Sequence, residues 1–479
     1  MLTVERIREA IIAAIPYTTS NDGQPPDART VYVPPSHLKA LRLESSLVVG
    51  ARGVGKSFWT AALSSPPLRA MLGTAVRELE RTQAHIGFAL APNIAAYPNA
   101  DVFAQLLAQG FRPGEVWRAV VVRWLAPMTQ IAVPVADWGS TTAWVRDHPE
   151  PLAQLMEQAS LHFRTQGQQG LIVFDALDRA SPDWRVMDSI VRDLLQLALW
   201  LKAYPALHAK VFLREDQFAR TVTDFPDASK LLATKAELIW YPHDLHGLLW
   251  QLLCNAPDEH GKVLRALSTE VLMQSPVQRA LAWSLAEETR RDGPQQRALF
   301  VTLAGEWMGL DKRRGVPYVW SVSHLADGRG RTSPRSFQVA IRAAAEDSAE
   351  RYPAHACPLH YESIKRGVQK ASGIRIAEVA EDYPWITKLL DPLRGVTVPC
   401  EFAVVAERWN QNFPDGLMTA FTHDRLPPQH AERGWPGVRE DLERLGLLET
   451  KKDGRVNMPD LYRVGFGLGR RGGVQPMKK

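Results

Sequence analysis

The sequence predicts an α/β protein: a core built on a parallel sheet, then a helical lid, then a small C-terminal module. Three observations predict it. The apolar run Ser46-Leu47-Val48-Val49 feeds a glycine-rich loop and then a helical segment, Phe58 to Leu63. Two later apolar runs, Leu171-Ile172-Val173-Phe174 and Val211-Phe212-Leu213, each end in a charged residue, as buried parallel strands do where they meet a ligand. Beyond Asp244, apolar residues recur at helical spacing over roughly a hundred residues.

The glycine-rich loop, Gly50 to Ser57, reads G-A-R-G-V-G-K-S and fits the phosphate-binding pattern G-x-x-x-x-G-K-[S/T] at every fixed position. Its setting between a strand and a helix is the one the pattern requires. Gly50, Gly53 and Gly55 let backbone N–H groups turn inward toward a phosphate chain. Ala51, Arg52 and Val54 supply the intervening N–H groups, and Phe58 opens the helix whose N-terminal partial charge favours an anion. Lys56 is expected to reach the β- and γ-phosphates, and the Ser57 hydroxyl to ligate Mg²⁺. The fold class is therefore a P-loop NTPase core with a parallel sheet.

Composition bounds the rest. The chain has 479 residues, 45% hydrophobic and 23% charged, which suits two to four soluble domains. No run of apolar residues is long enough for a membrane span. Cys254, Cys357 and Cys400 are scattered, which argues against a disulfide framework or zinc cluster and fits a reducing, cytoplasmic setting. The net charge of +5 is uneven: Arg444 to Lys479 holds nine Lys/Arg against three Asp/Glu. An acidic partner belongs there.

In chain order, Val4 to Ile15 reads as a helix and Asn21 to Asp27 as a loop. In Arg29 to Pro35, Tyr32 either stacks on a nucleotide base or packs in the core of an edge strand. Ile86 to Leu90 reads as a strand. Trp117 to Leu125 and Thr141 to His162, broken at Pro149 to Pro151, read as helices. Over a hundred residues separate the glycine loop from Asp175, so an insertion precedes the Asp175 strand. Asp175, at the tip of its apolar run, is placed to hold Mg²⁺ opposite Ser57. Helices are expected over Ala228 to Leu238, Asp244 to Leu253, Val271 to Glu288, Gln295 to Met308 and Phe337 to Ala345. Asp327 to Arg331 reads as a mobile loop carrying Arg329 and Arg331, and Arg351 to Pro399 as short helices among prolines.

The run Asp175-Ala176-Leu177-Asp178-Arg179 resembles the STAND group of AAA+-like signalling ATPases and relatives with a D-x-L-D-R signature, such as the KAP ATPases. In that resemblance a small residue follows the Mg²⁺ aspartate, as Ala176 does. Asp178 then stands as the group that orients or deprotonates water, since the usual Glu directly after the aspartate is absent. The resemblance makes Arg214, at the end of the next strand, a γ-phosphate sensor. Thr332-Ser333-Pro334-Arg335 is similar to the G-x-P-R element of AAA+ lids, with Thr332 in place of Gly, and makes Arg335 a second sensor. No N-K-x-D signature appears, which favours ATP over GTP.

At the C-terminal end, Val438 to Leu445 reads as a helix, followed by strand, Asp453-Gly454 turn and strand. Helix plus hairpin resembles a winged-helix module. Arg463 to Lys479, rich in glycine and basic residues, reads as partly disordered. The expected divisions are 1–245 for the ATPase core, 246–345 for the lid, 346–400 for a linker or small helical region, and 401–479 for the winged-helix-like domain with its basic tail. The expected ligands are ATP and Mg²⁺.

Three functions fit. One is a slow ATPase switch that reports its nucleotide state to a separately encoded protein partner, the role of bacterial relatives in anti-phage defence or signalling, with a nucleotide-dependent oligomer among its forms. Another is a DNA-acting ATPase of initiator or transposition-regulator type that uses the basic tail. A nucleotide-binding scaffold without turnover is the third.

Overall fold

The computed structural model describes residues 2–17, 24–181, 183–218, 221–291, 293–414 and 426–476. The chain divides into two compact units. One comprises 20–26 and 33–239, the other 1–19, 27–32 and 240–479. The expected Asn21–Asp27 loop lies partly outside the described residues, as do the last three residues of the chain.

The first unit is built on five strands: β1 (Leu47–Gly50), β2 (Thr82–Phe88), β3 (Gln169–Phe174), β4 (Leu207–Arg214) and β5 (Ala236–Glu237). They pair in parallel in the order β2-β3-β4-β1-β5. β1 is buried along its whole length, and β3 and β4 nearly so, which is why all three read as unbroken apolar runs. β4 lies between the glycine-loop strand and the Asp175 strand. Its register sets Arg214 directly across from Gly50. The expected insertion is helical: Ala100–Ala108, Pro113–Leu125, Trp138–Asp147 and Pro149–Thr165 lie between β2 and β3. Trp117 anchors it, fully buried, with its indole N–H on the Ile190 carbonyl at 2.9 Å and its ring against Phe88, Phe103 and Phe174.

One buried lysine organises the approach to β1. Lys210 on β4 has no exposed surface, and its ammonium donates to the carbonyls of Ala40, Arg42 and Ser45 at 2.7, 2.9 and 2.8 Å. Those carbonyls belong to the turn that leads into β1. Burial pulls the amine down to about 7, against the opposing pull of the Glu78 carboxylate.

The second unit is mostly helical. The Val4–Ala14 helix packs on Asp258–Leu272 and Pro334–Arg351, burying Ile7 and Ile11. Arg8 donates to the Pro358 carbonyl at 2.9 Å, fixing that docking. The expected terminal element is present: the Trp435–Arg444 helix is followed by an antiparallel pair, β8 (Glu449–Thr450) and β9 (Val456–Asn457), closed by a Lys451–Arg455 turn.

Several expectations are corrected. Ala228–Leu238 is not one helix: the helix stops at Leu232 and Ala236–Glu237 forms the edge strand β5, too short to show an alternating pattern. Val271–Glu288 is not a helix either. The helix runs Asp258–Leu272, ends at Met273 in the left-handed conformation (φ 53°), and gives way to the hairpin β6 (Val277–Arg279) and β7 (Ala282–Ser284). Arg29–Pro35 is not an edge strand: it begins within the Ala28–Thr30 helical turn and ends where the Pro35–His37 turn starts. Residues 351–399 contain a long helix, Tyr361–Asp382, whose buried positions are largely small or polar (Ser363, Gly367, Ala371, Ser372), so no apolar stripe announces it. The Asp327–Arg331 loop is fastened: the Gly328 N–H donates to the Gly446 carbonyl at 2.7 Å. The tail is held as well. Arg463 is fully buried and donates to the carbonyls of Leu468 and Val474 at 2.9 and 2.6 Å. Among the described residues no helix is long and apolar enough to cross a membrane.

Candidate nucleotide site

The glycine loop leaves β1 at Gly50 and enters the Lys56–Ser64 helix. A Cβ at Gly50 would sit 2.7 Å from the Val54 side chain, so the loop closes this tightly only on glycine. Gly53 and Gly55 take φ 80° and 105°, the left-handed region that glycine alone enters without cost. Gly55 caps the helix and, having no side chain, spends none of the helix's first N–H groups on a cap of its own. Those donors and the helix dipole are what a phosphate needs. Phe58, on the first helical turn, packs edge-on against Trp59, whose indole N–H donates to His37 at 3.1 Å.

Lys56 curls back and donates to the carbonyls of Gly50 and Ala51 at 3.0 and 2.8 Å. Burial and then the nearby Arg214 charge lower its amine to about 8, against the pull of Asp175, Asp216 and Asp178. All five charges therefore act on one another at the carboxyl ends of β1, β3 and β4. Asp175 is 3% exposed, accepts a hydrogen bond from the Ser57 hydroxyl, and is pushed upward by burial. Ala176, the small residue after it, sits at φ 54°. Arg214 donates from Nε to Asp216 at 3.0 Å and lies 3.7 Å from Asp178 through Nη1. For Asp216, burial raises the carboxyl but Arg214 more than offsets it, leaving it below the usual range.

Ser57 and Asp175 pair a hydroxyl with a carboxylate, the hard oxygen donors that Mg²⁺ selects, and the tight glycine turn beside Lys56 matches a phosphate-binding loop. The residues fit the groups expected of them. Together they make a candidate phosphate-binding site.

The structure brings together Gly50–Phe58, Asp175, Asp178 and Arg214. It adds Asp216, which the sequence offered only as part of the charged cluster after Leu213. Arg335 belongs to the other unit, where it donates to Glu378 at 2.7 Å. Tyr32 also belongs there, and base stacking is corrected for it. It is 3% exposed, its hydroxyl donates to Asp244 at 3.1 Å, and its ring is covered by Trp240 and the Arg290 guanidinium. It is a core residue, sealed by the helix that carries Gly247, where even a Cβ would strike its ring.

No family model matches the sequence, and no curated protein does. The chain is similar in structure to the Aeropyrum pernix ORC2 protein in its ADPNP–ADP complexes, at 13% identity and a TM-score of 0.42, over 91% of this chain and 94% of that one. It is also similar to the Aeropyrum pernix ORC1 protein in complex with DNA, at 12% identity and a TM-score of 0.33, over 91% of each. With TM-scores this low, neither bears on what this chain binds.

The lowered Lys56 amine makes a testable statement. Below about pH 8 the ammonium is present and grips phosphate; above it the free protein loses that proton. ATP affinity measured by calorimetry should be flat from pH 6 to 8 and then weaken by up to about tenfold per pH unit. A flat profile to pH 10 would contradict it.

Proposed function

We propose that the protein binds ATP with Mg²⁺ and hydrolyses it slowly, as an AAA+-type ATPase whose nucleotide state is sensed by Arg214. The observation that carries this is the convergence of Lys56, the hydrogen-bonded Ser57–Asp175 pair, Asp178 and Arg214 at the carboxyl ends of three adjacent parallel strands. Lys56 and the loop N–H groups bind the phosphates. Ser57 and Asp175 would hold Mg²⁺, which supplies positive charge against the charge developing on the transferred phosphoryl group. Asp178 orients the attacking water and takes its proton as the water oxygen bonds phosphorus and ADP departs. Arg214 stabilises the γ-phosphate and registers its loss. With no glutamate beside Asp175, the water is handled by a carboxylate already paired with an arginine, which suits slow turnover.

Asp178→Ala should cut hydrolysis by about a hundredfold, the usual worth of a positioned base, while ATP binding survives. Undiminished turnover would assign the water to another group. Arg214→Ala should shrink the preference for ATP over ADP; an intact preference would make Arg214 purely structural.

A second reading, a DNA-acting ATPase, draws on the terminal hairpin, which resembles the wing of a winged helix. Its turn presents Lys451, Lys452 and Arg455, although Lys451 and Arg455 pair with Glu449 and Asp453. Exposed pairs of this kind are weak and exchange readily for phosphate. The reading expects duplex DNA affinity that falls with salt and is cut sharply by deleting 444–479. No binding at low salt would remove it.

A further inference from the structure

Arg214 stands between two carboxylates that hold it differently. Asp216 accepts directly from Nε at 3.0 Å, on the strand-to-helix turn that Arg214 itself opens. The Arg214 N–H also donates to the Gln217 side chain at 3.2 Å, pinning that turn. Asp178 approaches Nη1 at 3.7 Å and is the more exposed of the two, 28% against 20%. A guanidinium fixed at Nε keeps its Nη atoms able to exchange partners. One of them, Nη1, faces the carboxylate assigned to the attacking water.

We propose that the Asp178–Arg214 ion pair is a latch that keeps Asp178 idle until a γ-phosphate displaces it from Arg214, and that Asp216 is the positioning residue that keeps Arg214 in reach of both. This rests on the nucleotide-site reading above. A γ-phosphate carries more negative charge than one carboxylate and offers more acceptor oxygens, so it outcompetes Asp178 for the Nη atoms. Asp178 is then released from Arg214 to face the water. Once the γ-phosphate is gone, Asp178 takes the arginine back and the base is masked again. Asp216 is held charged against Arg214 and is half-buried there, so it does not compete for the water; its part is to stop the guanidinium following either partner away.

The two carboxylates should therefore act in opposite directions on one measurement. The ratio of ADP to ATP dissociation constants, taken by calorimetry with Mg²⁺, should rise roughly fivefold in Asp178→Asn, because Arg214 no longer gives up a partner to meet ATP. It should fall roughly fivefold in Asp216→Asn, because the guanidinium drifts toward Asp178. Asp216→Glu, which keeps the charge, should stay within about twofold of the parent protein. Simple removal of negative charge beside a phosphate would raise the ratio in both Asn variants, and that result would overturn the latch while leaving the nucleotide site standing. If Asp216→Asn does not fold, a fall in Asp216→Glu as large as that expected of a neutral residue would overturn it equally. Failure of the parent protein to bind ATP at all would overturn the nucleotide-site reading and the latch with it.

Discussion

Lys56→Ala is expected to abolish ATP binding. The ammonium is the one cation of the loop aimed at its own cradle, held there by the Gly50 and Ala51 carbonyls. A phosphate chain draws it off those carbonyls into charge-assisted hydrogen bonds, each worth about 1.5–3 kcal/mol. Removing it also leaves three carboxylates, Asp175, Asp178 and Asp216, facing Arg214 in that cluster, so the formal charge there goes from one negative to two and repels a polyanion more. The loss should be at least about 3 kcal/mol, more than a hundredfold in affinity. Calorimetric titration with ATP and Mg²⁺ checks it, beside a thermal melt to show that the fold survives. Unchanged affinity would end the phosphate-loop assignment.

Lys210→Met should cost stability rather than binding. Methionine matches the length of the lysine stem but donates nothing, so the carbonyls of Ala40, Arg42 and Ser45 lose the group that gathers them. Orphaned buried carbonyls cost about 1–3 kcal/mol each, partly offset because a buried charge goes too; a net loss of about 3 kcal/mol is expected. The sign with pH follows from the lowered amine. Folded Lys210 titrates near 7 and the unfolded chain near 10.5. Between those values the unfolded state binds the extra proton, so the wild-type protein gains stability as pH rises through that window, up to about 1.4 kcal/mol per unit. The variant lacks this term. Its deficit in chemical denaturation should therefore widen from pH 6 to pH 9; a constant deficit would show that Lys210 stays charged throughout.

The site was legible because phosphate chemistry fixes both residue type and spacing. Gly50 to Ser57 could be read without any structure, and Asp175 and Arg214 followed from apolar runs that break in a charge. Asp216 was not separable from Glu215 by sequence, because only the register and the turn after β4 decide which of two adjacent acids faces Arg214. Tyr32 misled because an aromatic residue upstream of a phosphate loop has two equally good uses, and only Asp244, Trp240 and Gly247, over two hundred residues on, show which is taken. The helices of the second unit were clearest where one face is apolar. The Tyr361–Asp382 helix escaped notice because small residues let it be buried on several sides, and β5 because two residues carry no period.

The placement of the first helix has a consequence for how the chain comes off the ribosome. Val4–Ala14 is made well before the helices that cover Ile7 and Ile11, which begin at Asp258 and Pro334. At typical elongation rates its apolar stripe waits on the order of ten to fifty seconds for them. The five-stranded domain is synthesised whole during that interval. The Val4–Ala14 helix is thus a stretch that stands to gain from shielding by a chaperone until those helices are translated.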